Sequence, residues 1–70
     1  MHRDQALAMA KSYIDSMGID YNHIGQAELF DGSWRVPVTT TCSTSFVYID
    51  RNTEEVSLSK YLQTLIKVRG

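Results

Sequence analysis

The sequence predicts an α+β domain: an N-terminal helix, a three- to four-stranded antiparallel sheet, and a C-terminal helix, with both helices packed on one sheet face. Three observations carry this. Apolar residues recur at helical spacing near both ends of the chain. The middle holds two strand-forming runs, Trp34-Arg35-Val36-Pro37-Val38 and Phe46-Val47-Tyr48-Ile49-Asp50. Turn formers separate the runs, above all Asp31-Gly32. A length of 70 residues fits a single domain over 1–70.

The first helix is predicted over Asp4 to Met17. Ala6, Leu7, Ala10, Tyr13, Ile14 and Met17 fall on one face, with Lys11, Ser12, Asp15 and Ser16 opposite. Asp4 sits where the helix dipole favours an anion. Gly18 supplies a left-handed stop, and Ile19 is then free to fold back on Ile14. Asp20-Tyr21-Asn22-His23 reads as a polar connector.

Ile24 to Phe30 reads as a first strand with poor alternation, which fits a bulge or a weak edge strand. Asp31-Gly32 is a two-residue hairpin loop, so Phe30 should meet Ser33. Over Ser33 to Thr41, Trp34, Val36 and Val38 share the face that the helices cover, and Arg35, Pro37 and Thr39 share the other. Pro37 has no N–H, so its nitrogen must face a sheet edge or a bulge. Thr40 to Ser45 is a hydroxyl-rich connection that includes Cys42. In the third strand, Phe46 to Asp50, both faces are apolar, which places it centrally. Asp50 and Asn52 are set for Asx-turns. Glu54-Glu55-Val56 forms a short fourth strand, and Ser57 or Ser59 caps a helix carrying Leu58, Tyr61, Leu62, Leu65 and Ile66, with Lys67 and Arg69 at its C-terminal end.

Composition narrows the function. Seven basic and eight acidic side chains nearly cancel, and the basic ones are scattered. No basic stripe suited to nucleic acid results. No apolar run reaches the roughly 20 residues of a membrane span, and the start of the chain enters the helical period directly, which predicts a cytoplasmic protein. Cys42 is the sole cysteine, and with His2 and His23 it gives no zinc spacing. No catalytic, cofactor-binding or metal-ligating residue is expected, and the chain is read as a non-enzyme. A core this small is marginal, which points to a protein partner, either another protein or a second copy in a homodimer. Arg35, Tyr48 and Thr41 are the candidate partner-binding residues, on the uncovered sheet face and the adjoining loop.

Several segments resemble known bacterial families. Ser33-Trp34, then Val47-Tyr48-Ile49-Asp50-Arg51-Asn52-Thr53-Glu54-Glu55-Val56, then Leu58-Ser59-Lys60-Tyr61-Leu62 are similar to the YrhB-like group, which includes immunity proteins of polymorphic toxin systems. The Trp-x-Val strand and the Val-x-Ile-Asp segment also resemble the PepSY-type domain, linked to peptidase inhibition or regulation. Both families favour glycine where this chain has Glu54. The resemblance implies a non-enzymatic interaction or inhibitor module, immunity-like, and supplies no catalytic residues. The alternatives are a structural homodimer-forming domain, or a small-ligand-binding domain built on His23 and the Thr/Ser/Cys loop.

Overall fold

The computed structural model describes residues 2–65. They form α1 (Arg3–Ser16), β1 (His23–Ile24), β2 (Glu28–Phe30), β3 (Ser33–Thr39), β4 (Thr44–Asp50), β5 (Val56–Leu58) and α2 (Lys60–Thr64). The five strands make one open antiparallel sheet. β3 and β4 lie at its centre, β5 flanks β4, and β1 and β2 share the far edge beside β3. The expected α+β architecture is present, with one strand more than expected because the first splits in two.

Helix α1 follows its sequence pattern closely. Ala6, Ala10 and Ile14 are fully buried, while Leu7, Tyr13 and Met17 pack around them. The two alanines let the helix axis approach the sheet. At its start, the His2 N–H donates to Gln5 Oε1 at 2.8 Å. At its end, Gly18 has φ of 69°. The Gly18 N–H donates to the Asp15 carbonyl and the Ile19 N–H to the Ile14 carbonyl. Those two bonds are the Schellman pair, and Ile19 turns back into the core as that motif requires.

The core lies between the helices and one sheet face. Trp34, Val36 and Val38 of β3, Val47 and Ile49 of β4, and Leu58 of β5 are buried against Ala6, Ala10, Ile14 and Leu62. The indole Nε1 of Trp34 is buried without a hydrogen-bond partner among the described residues.

The edge strand is interrupted where Pro37 stands. Gly25 donates its N–H to the Pro37 carbonyl at 2.9 Å. In an antiparallel ladder the return bond would come from residue 37, but proline has no N–H to give. Beyond that point the register slips. Ile24 pairs with Val38, but Glu28 pairs with Arg35, so two residues, Gln26 and Ala27, stand opposite Val36 alone. This is a β-bulge. It reverses the alternation, so that Ile24 and Ala27 join the core while Glu28 and Phe30 face the other way. The sequence pattern had set Ile24 and Phe30 on one side. His23 belongs to β1, which shortens the connector to Asp20–Asn22.

Both hairpin turns beside Asp50 use left-handed backbone. Asp31 and Gly32 have φ of 49° and 80°, the positive pair of a type I′ turn. Between β4 and β5, Asp50 accepts from the Asn52 N–H at 2.8 Å and the Thr53 N–H at 2.9 Å. Glu54 has φ of 62°, so it takes the glycine-type conformation without being glycine. Glu54 and Glu55 therefore belong to the turn, and the last strand begins at Val56.

Ser59 occupies the N-cap position of α2, but its Oγ makes no cap bond and is buried with no hydrogen-bond partner among the described residues. Leu58 belongs to β5 rather than to the helix. Leu62 is fully buried, and Tyr61 and Leu65 pack beside it. The expected contributions of Ile66, Lys67 and Arg69 lie outside the described residues.

Candidate functional site: the open sheet face

Alternation along β3 and β4 leaves one sheet face that no described helix covers. Arg35, Pro37 and Thr39 point there from β3, and Phe46, Tyr48 and Asp50 from β4. All six are half-buried by one another rather than by a covering layer. Cross-strand pairing decides which of them meet. Glu28, Arg35, Tyr48 and Ser57 stand in one row across four strands. Phe30 enters from the next row, opposite Ser33, and Phe46 from the row on the other side, opposite Pro37.

The result is an arginine held between aromatic rings. The Arg35 Cζ lies 4.4 Å from the Phe30 ring centroid and 4.8 Å from that of Phe46. Phe46 in turn meets Tyr48, with centroids 6.3 Å apart and planes tilted by 42°. Each cation–π contact contributes on the order of 0.5–1 kcal/mol at a partly exposed site and fixes the orientation of the guanidinium. Arg35 Nη2 also lies 3.5 Å from Glu28 Oε2. That distance is at the long end for a hydrogen bond, and the Glu28 side chain is 66% exposed, so the pair adds little stability. Arg35 Nε is buried and makes no hydrogen bond among the described residues. Phe30 remains 50% exposed.

Two of the three residues singled out in the sequence thus meet: Arg35 and Tyr48 are register partners. Thr41 does not join them. It is exposed in the Thr40–Ser43 loop, six residues along from Arg35, up to about 20 Å away at strand rise. That loop is shorter than the expected Thr40-to-Ser45 connection, because Thr44 and Ser45 pair as strand residues with Thr39 and Val38. Within it, Thr40 is buried, its Oγ1 lying 3.0 Å from the Ser43 carbonyl and 3.2 Å from the Tyr61 hydroxyl, which ties the loop to α2. Glu28, Phe30 and Phe46 are the site residues the sequence reading did not single out. The signal for the first two was the Asp31-Gly32 turn, whose register already carries Phe30 to the face of Arg35; for Phe46 it was the alternation that sets it on the same strand face as Tyr48.

His23 pairs with Thr39 at the loop end of the sheet. Both His23 and Cys42 are exposed, and no hydrogen bond joins them. A hollow of about 210 Å³ lies between the start of α1 and the bulge, lined by Arg3, Asp4, Leu7, Gln26 and Ala27. It is smaller than the usual small-molecule site of roughly 300–1,000 Å³. Among the described residues no group of three or more His, Cys, Asp or Glu side chains is placed to hold a metal ion. No described helix is long and apolar enough to cross a membrane.

Compared with models of protein families, with curated proteins and with solved structures, the chain matches none.

Proposed function

We propose that this chain is a non-enzymatic interaction or inhibitor module that docks a protein through its open sheet face. The single observation that supports it most is the aromatic-framed Arg35. Arginine and large aromatics supply most of the energy at protein interfaces, and here they stand together, ordered and uncovered. Their order matters, because side chains fixed before binding lose less entropy on binding. The resemblance to immunity-type and inhibitor families agrees with this reading. A cytoplasmic location belongs to it as well, supported by an exposed free thiol at Cys42, which suits a reducing compartment.

The test begins with affinity capture by the tagged chain, followed by titration of the purified partner against wild type and two variants. Arg35→Ala and Tyr48→Ala should each weaken binding by about 2 kcal/mol or more, roughly 30-fold. Wild-type affinity in both variants would remove the open face from consideration.

A further inference from the structure

We infer that the open face recognises a carboxylate on its protein partner, an acidic side chain set among apolar ones, which displaces Glu28 from Arg35. This rests on the open face being the docking surface. The charge arrangement around Arg35 is what points to this occupant. A guanidinium carries five N–H donors in a planar fork suited to two-point binding of a carboxylate. Among the described residues Arg35 has one polar contact, to a single oxygen of Glu28 at 3.5 Å; its Nε is buried out of a partner's reach, so it is the terminal N–H groups that remain for a partner. The fork is therefore held in place by two rings but poorly paired. Glu28 stands where a better-placed carboxylate would go, and its exposure leaves it free to swing into water.

The surrounding charges choose between a carboxylate and a phosphate. Glu28 shares the row of Arg35, and Asp50 points to the same face from the row of Ser33. A doubly charged phosphate would meet both carboxylates. A single carboxylate brings half that charge and takes the place of the Glu28 carboxylate at the guanidinium, which keeps its repulsion with Glu28 and Asp50 smaller. The half-exposed Phe30 and the rings of Phe46 and Tyr48 then demand apolar neighbours around that carboxylate. The same argument disfavours nucleic acid, whose chain of phosphates needs a basic surface.

The experiment uses the whole 70-residue chain, labelled with nitrogen-15, and three probes. They are the blocked tripeptides acetyl-Phe-Glu-Phe-amide and acetyl-Phe-Gln-Phe-amide, and inorganic phosphate. The Arg35 Nε–H signal and the β3 and β4 amides report binding. The Glu peptide should shift them with a dissociation constant of about 1 mM, and the Gln peptide should bind at least about fivefold more weakly. Glu28→Gln removes the internal competitor and should strengthen the Glu peptide by about threefold without changing the Gln peptide. Arg35→Lys keeps the charge but loses the fork, and should narrow the discrimination without abolishing it. Equal affinity for the two peptides, or weaker Glu-peptide binding in Glu28→Gln, would overturn the carboxylate assignment and leave the face as a docking surface. A larger Arg35 shift with phosphate than with the Glu peptide would also overturn it. Shifts confined to other parts of the chain would remove both the assignment and the docking surface.

Discussion

Gly25 is the position where one added methyl group should matter most. A Cβ built on Gly25 would sit 2.7 Å from Pro37 Cγ, closer than real Cβ contacts allow. The obstacle is a ring carbon in a central strand, which can give way only by a change of ring pucker or a shift of the strands. The remaining ring atoms are at ordinary distances, 3.6 Å for Cδ and 3.7 Å for Cβ. Gly25 is not among the glycines with positive φ, so alanine there meets no backbone penalty and the effect is purely steric. Overpacking of this kind costs about 1–3 kcal/mol. A domain of this size has only about 3–5 kcal/mol to lose, so Gly25→Ala should remove a large share of its stability. Pro37→Ala takes away Cγ and leaves the harmless Cβ. In that background Gly25→Ala should cost nothing, or stabilise by a few tenths of a kcal/mol up to about 1 kcal/mol through the unfolded state. Urea unfolding followed by Trp34 fluorescence measures all four chains. With a slope of about 1 kcal/mol per molar, the single variant should lower the midpoint by about 1–3 M. An equal cost of Gly25→Ala in both backgrounds would refute the steric account of the Gly25–Pro37 pairing.

The turn between β4 and β5 yields two further predictions. Glu54→Gly relieves a left-handed residue worth about 1–2 kcal/mol, partly offset by glycine's freer unfolded state, so a net gain of up to about 1 kcal/mol is expected. A thermal melt should move up by as much as about 4–8 °C, and no rise would mean that this turn tolerates glutamate at no cost. The Thr53 and Asn52 amides hold the Asp50 carboxyl below its ordinary value of 3.8. A lowered folded-state pKa stabilises above the unfolded value and is lost as pH falls through the folded one. Asp50→Asn keeps an acceptor for the turn but does not titrate. The stability gap between wild type and Asp50→Asn should therefore hold above about pH 4 and narrow below it. A gap unchanged from pH 7 to pH 2 in urea midpoints would sink the assignment.

Those positions also mark the limits of what the sequence reveals. The face of α1 was legible because its period runs unbroken through four turns and ends on a glycine that completes the Schellman bonds. The Asp31-Gly32 turn set the β2–β3 register correctly, since a two-residue loop leaves no other pairing. The bulge was expected without its place, because that depends on which carbonyl faces Pro37, a fact of pairing rather than of local pattern. One slipped residue then moved Ile24 and Phe30 to opposite faces. The start of β5 was misjudged for a related reason. Glutamate disfavours positive φ, so nothing in Glu54 itself announces a turn. Of the candidate site, Arg35 and Tyr48 were visible as outward residues of strong strands. The cage around Arg35 was not, because Phe30, Arg35 and Phe46 come from three strands and meet only through register.

The sheet edges bear on the choice between docking by the face and pairing with a second copy. A free edge invites strand addition through its outward N–H and C=O groups. In β5 the bonds from Asp50 to Glu55 and from Ser59 to Phe46 turn residues 55, 57 and 59 toward β4. Val56 and Leu58 thus direct their backbone groups outward. The Leu58 carbonyl is already taken by Gln63 Nε2 at 2.9 Å, a bond from the helix that follows. The strand offers three residues, and its outward acceptor nearest α2 is capped. At the opposite edge the bulge breaks β1 from β2, leaving two and three residues in different registers. Neither edge presents the long, flat run that edge pairing uses. The open face carries its aromatic rings and a fixed cation across three adjacent rows of the sheet, from Phe30 opposite Ser33 to Phe46 opposite Pro37. A second copy of this chain would therefore gain more by stacking face on face than by extending the sheet. Such a stack would set Arg35 against the same rings and carboxylates that a foreign partner would have to match.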